Sequence, residues 1–102
     1  MPRRTRRYEE QLIERLHDRE YALEYLNAVL ADVGEDADGR FLVALRRVAQ
    51  AQGMPISQLA EDASLGRQAL YRSLSENGNP EFATLTRVLR ALGLRLAVAD
   101  AA

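Results

Sequence analysis

A chain of 102 residues, 47% of them hydrophobic, has material for one core and at most an appended arm. It contains no cysteine, which excludes disulfides and thiolate metal sites, and no apolar run approaches the ~18 residues of a membrane span. The net charge of −1 hides a segregation: Arg3, Arg4, Arg6 and Arg7 open the chain, residues 8–39 are strongly acidic, and residues 40–98 carry eight arginines against four acids.

Leu12, Ile13 and Leu16 recur at helical spacing in residues 9–17. From Asp18, a plausible N-cap, a second pattern places Ala22, Leu23, Leu26, Val29, Leu30 and Val33 on one face. The two patterns are compatible with one helix or two. Gly34 to Gly39 (GEDADG) is a break, and Asp38 can cap the next helix, which turns Phe41, Leu42, Leu45, Val48 and Ala49 inward and stops at Gly53. Ile56 and a capping Ser57 open a short helix through Ala63. Gly66 starts another, from Arg67 to about Ser75, with Leu70 and Leu74 inward. The turn residues of Glu76 to Pro80 precede a last helix from about Ala83 to Leu92, ended by Gly93. Leu94 to Val98 alternates apolar and non-apolar residues, the pattern of one short strand, and a lone strand needs a partner chain to pair with.

The stretch Leu59 to Leu74 reads as a helix-turn-helix. Ala60 is small enough to let two helices cross closely, and Leu59, Leu65, Leu70 and Leu74 fill the wedge beneath. The second helix presents Arg67, Gln68 and Arg72 on its polar side. Arginine suits guanine O6/N7 and glutamine suits adenine N6/N7 in a major groove. Tyr71 lies beside them, placed for a phosphate, a thymine methyl or a half-buried packing role. Ser57 and Gln58, at the start of the preceding helix, are candidate donors to phosphate oxygens. Arg46, Arg47, Arg87 and Arg90 read as exposed, equally suited to backbone contacts or to solvent.

With its flanks the run from Asp18 to Val98 resembles the addiction-module antidote family, the HigA-like antitoxins with an XRE-type (Cro/repressor-like) helix-turn-helix. The resemblance is carried by EYLNAVLAD at Glu24 to Asp32, FLVALRRVAQAQG at Phe41 to Gly53, and ALYRSLSENGNP followed by TLTRVLRALG within Gln58 to Leu96. It implies an antitoxin of a type II toxin-antitoxin module. Such a protein neutralises a RelE/ParE-type toxin encoded beside it and represses its own operon by binding double-stranded operator DNA as a homodimer. Two positions depart from the motif. Ser64 stands where glycine is common, so a left-handed backbone there costs roughly 1 kcal/mol. Gly66 stands where a Ser or Thr cap is usual.

The expected fold is therefore all-α, an XRE/lambda-repressor-like helix-turn-helix bundle with an N-terminal helical arm and one short C-terminal β-strand. Residues 1–39 form the acidic arm, a candidate toxin-binding or dimer element, and residues 40–102 the DNA-binding domain. Catalysis has no inventory. His17 is the sole histidine, the carboxylates at Glu9, Glu10 and Glu14 are local and solvated, and Asp36 to Gly39 lacks the ligand sequence of a calcium loop. No cofactor, no metal and no membrane association is expected, and the basic start runs into acids rather than a signal peptide, which points to the cytoplasm. The alternatives are a stand-alone XRE-family repressor without a toxin, and an interaction module of the same fold that no longer reads DNA.

Overall fold

The computed structural model describes residues 2–101. Met1 and Ala102, and the side chains of residues 2–5 including Arg3 and Arg4 of the basic start, lie outside the described residues. Six helices follow one another: α1 (Pro2–Arg15), α2 (Arg19–Leu30), α3 (Ala37–Ala51), α4 (Ile56–Asp62), α5 (Arg67–Ser73) and α6 (Phe82–Ala91). α3 is the hub, packed against α1, α2 and α4, while α4 also packs on α5 and α6.

The acidic segment holds two helices. α1 stops at Arg15, and Asp18 takes an extended backbone (φ −74°, ψ 118°) while its Oδ1 accepts the amide of Glu20 at 3.0 Å, which begins α2. Leu12, Leu16, Ala22 and Leu26 are buried in the same cluster as Phe41, Leu45, Leu59, Leu70 and Val88. A single core thus crosses from residues 1–39 into residues 40–102. The radius of gyration, 13.5 Å, is close to the ~13 Å of a packed 100-residue domain, so the first two helices fold back instead of projecting. Side chains fasten them. Gln52 Nε2 donates to the carbonyls of Leu16 (2.7 Å) and His17 (3.1 Å), and Arg47 reaches Glu9 at 3.3 Å.

α3, α4 and α6 end in the same way. The second residue past each C-cap returns its N–H to a carbonyl five residues back: Met54 to Ala49, Leu65 to Ala60, Leu94 to Leu89. The residue between must be left-handed. Glycine supplies this for α3 (Gly53, φ 78°) and α6 (Gly93, φ 75°), whereas α4 forces Ser64 to φ 59°. The departure at Ser64 noted in the sequence is therefore a real strain in the structure.

Four expectations need correction. Leu94 to Val98 forms no strand among the described residues: Leu94 packs on the core and Leu96 lies beside α2, while Val98 is fully exposed, so packing of an irregular tail accounts for the first two apolar positions and no ladder forms. Ser57 does not cap α4, because Pro55 is the N-cap and Ser57 already lies inside the helix. Asp38 does not cap α3, which starts at Ala37 so that this alanine can be buried. Asp38 sits in the first turn, where its charge suits the helix terminus. α5 stops at Ser73 rather than Ser75, since the Ser73 and Ser75 hydroxyls return to the carbonyls of Ala69 and Arg72 and a close approach by Gly78 bends the chain away.

Candidate nucleic-acid interface

The stretch expected to form a helix-turn-helix folds as α4 and α5 joined by Ala63 to Gly66. Leu59, Ala60, Ala63, Leu70 and Leu74 are each at most 2% exposed, so the wedge between the two helices is dry. Gly66 is the N-cap of α5 with an extended backbone (φ −68°, ψ 148°) and no side chain to satisfy the first amides. Those amides stay open at the exposed start of the helix.

Burial of Leu70 and Leu74 sets the rotation of α5 and turns its other side outward. Arg67, Gln68, Tyr71 and Arg72 line one groove of about 500 Å³ together with Ile56 from the start of α4. Tyr71 is 54% exposed, so its ring is available to a ligand. Ser57 and Gln58 are exposed on α4, and the Gln58 side-chain amide donates to Asp62 Oδ1 at 2.9 Å. To contact a phosphate, Gln58 must give up that internal bond. Nothing in the four α5 side chains resembles a catalytic set. The arrangement offers a cationic, hydrogen-bonding ridge on a short rigid helix, with forked donors suited to planar acceptors.

Sequence reasoning missed what holds this ridge. Arg46 and Arg47 were expected to be exposed, but both are half-buried and engaged. Arg46 Nη1 donates to the Leu74 carbonyl at 3.1 Å and its guanidinium lies over the Tyr71 ring, while Arg47 is tied to Glu9. Their spacing on α3, next to Leu45 and Val48 on the inward face, was the available signal. Two glycines complete the support. A Cβ on Gly39 of α3 would fall 2.2 Å from the Glu76 carbonyl oxygen, and one on Gly78 would fall 2.1 Å from that of Ser73. Main chain therefore packs on main chain where α5 ends. Arg87, Arg90 and His17 are exposed, as expected.

Among the described residues, no group of three or more His, Cys, Asp or Glu side chains is placed to hold a metal ion, and no helix is long and apolar enough to cross a membrane.

Residues 7–100 match the family described as "Probable addiction module antidote protein". The chain is also similar to an uncharacterized protein of Haemophilus influenzae, 45% identical over 74 residues, which is 72% of this chain and 71% of that one. No solved structure matches the chain.

Proposed function

Because the chain belongs to the family of probable addiction module antidote proteins, we propose that it is the antitoxin of a type II module. In this reading it binds and neutralises a RelE/ParE-type toxin in the cytoplasm and represses its own operon as a sequence-specific, DNA-binding dimer. It acts by binding and catalyses nothing. The observation that carries the DNA half is the outward side of α5. Arg67, Gln68, Tyr71 and Arg72 stand together beyond a tight turn whose buried face fixes their direction.

In an XRE-type helix-turn-helix, α5 is the recognition helix. Arg67 and Arg72 would pair with guanine edges, Gln68 with adenine, and Tyr71 with a thymine methyl or a phosphate. Ser57 and Gln58 would meet the backbone from the start of α4. A seven-residue helix spans too few base pairs to specify a site alone. Two copies on an inverted repeat, with half-sites ~34 Å apart, supply the remainder.

The test is binding of the purified chain to the DNA upstream of its own gene across a salt series. Tight binding whose logarithm falls linearly with log salt, with random DNA bound far more weakly, supports the reading. Equal affinity for both DNAs overturns sequence-specific repression. Growth rescue on co-expression with the adjacent gene tests the toxin half, and an adjacent gene that does not inhibit growth leaves a stand-alone repressor.

A further inference from the structure

The apolar stripe of α2 is wider than the core beneath it can cover. Ala22 and Leu26 are buried, yet Leu23 and Leu30 remain 40% and 51% exposed, and Val33 just past the helix is 95% exposed. The C-terminal tail returns to this same helix. Arg19, at the start of α2, donates to the carbonyls of Leu92 (2.9 Å) and Gly93 (3.2 Å), which pins the beginning of the tail there. Three residues on, Leu96 meets Leu30 across a groove of about 330 Å³ floored by Phe41, Leu42 and Leu85.

The wall of this groove is acidic. Asp32 and Asp38 line it, and the α2–α3 turn adds Glu35 and Asp36, with Arg40 the single cation in residues 32–40. Asp32 is fixed by the Gly34 amide on its Oδ1 (3.0 Å) and by an ion pair with Arg40, which together hold its carboxyl below the usual range. Two occupants are disfavoured by charge. DNA is a polyanion, and a second copy in a symmetric contact would set this acidic patch against itself.

We propose that the groove between Leu30 and Leu96 is the docking site of a basic protein, which inserts an apolar side chain there and sets its cations against Asp32 and Asp38. The inference rests on the antidote reading, and the toxin is that partner. The arm and the tail are then two walls of one site. Apolar anchoring supplies most of the affinity, and the carboxylates supply encounter rate and selectivity. The groove shares no lining residue with those beside α5, so toxin and DNA have separate seats.

The experiment titrates the purified toxin encoded beside the gene into the full chain and into Leu30→Asp, Leu96→Asp and the double variant Asp32→Asn/Asp38→Asn. Melting temperature and operator binding are measured for each. Leu30→Asp and Leu96→Asp should each weaken toxin binding roughly tenfold or more, while operator binding holds. The double asparagine variant should slow association and flatten its salt dependence. If an aspartate variant melts well below the parent, Leu30→Ala and Leu96→Ala carry the same comparison.

Failure of the unmodified chain to bind the toxin sinks the antidote reading and the proposed occupant with it. Binding by the parent with unchanged binding by both leucine variants overturns the groove alone. Weakening by only one of the two overturns the shared site. A change of oligomeric state with toxin affinity intact assigns the groove to a second copy and overturns the proposal.

Discussion

The guanidinium of Arg46 lies 4.8 Å from the ring centroid of Tyr71, joining a helix of the core to the outward side of α5. The same side chain donates to the carbonyl of Leu74, the C-cap of α5, so one arginine both satisfies the end of the helix and orients its aromatic residue. Replacing it with alanine removes both contacts. Arg46→Ala should lower stability by about 1–2 kcal/mol and weaken operator binding more than binding to random DNA. Arg46→Lys keeps the charge but not the flat stacking surface, and should recover only part of the operator affinity. Equal losses on both DNAs would show that Arg46 acts as a phosphate contact instead.

Ser64 is the misfit among the three matching helix ends. Ser64→Gly should stabilise the protein by about 1 kcal/mol, which for a domain of this size raises the melting temperature by about 4–8 °C. Calorimetry reads this directly. No gain would mean that the serine is held without strain.

Gly39 behaves in the opposite way. Alanine is the better helix former, but its Cβ would meet the Glu76 carbonyl at 2.2 Å, far inside contact distance. Gly39→Ala should therefore destabilise by about 1–3 kcal/mol despite the gain in propensity. Gly66→Ala isolates the other effect: nothing lies within 4 Å of its added methyl, so it loses only the preference for glycine over alanine at the N-cap of α5 and should cost less than Gly39→Ala. Denaturant melts in which both variants match the parent would contradict the close approach.

Base reading has its own signature. Arg67→Ala, Gln68→Ala and Arg72→Ala should each cost ~1–3 kcal/mol on the operator and much less on random DNA. Competition binding separates the outcomes: uniform loss marks phosphate contacts, and no loss removes the residue from the interface.

Deleting residues 1–33 takes Leu12, Leu16 and Leu26 out of the shared core. Each buried leucine contributes about 1.5–3 kcal/mol, and a whole domain holds only about 5–15 kcal/mol. The fragment should therefore lose its cooperative thermal transition by circular dichroism. A fragment that melts like the parent would make the first two helices a separable arm.

The core was legible because burial imposes a helical period. Phe41, Leu42, Leu45, Val48 and Ala49 all lie inward on α3 as their spacing requires; Asp18 starts α2, and Gly53 and Gly93 follow the ends of α3 and α6, where their backbone chemistry suits it. The grouping of Arg67, Gln68, Tyr71 and Arg72 followed from the same arithmetic. What spacing does not encode is the partner across space. Arg46 and Arg19 look like any surface arginine until the carbonyls of Leu74, Leu92 and Gly93 arrive beside them. The tail misled for a related reason. Leu94 and Leu96 alternate because one side of an irregular segment rests on helices, a pattern that a strand shares. The stripe of α2 hid a further fact, since spacing alone does not say that Leu23 and Leu30 outrun the core.

The contact between Gly39 and Glu76 bears on how finely α5 can be aimed. Where two helices meet through side chains, rotamers act as springs, and a small displacement spreads over many soft torsions. Here carbonyl meets backbone with nothing in between, so the loop that follows α5 rests against a hard stop. Errors in angle at that point cannot be absorbed locally and would swing the opposite end of the helix, where Arg67 and Gln68 sit. A stiff mount of this kind trades tolerance for aim: it admits few substitutions, and it holds the outward side of α5 in one direction before any ligand arrives.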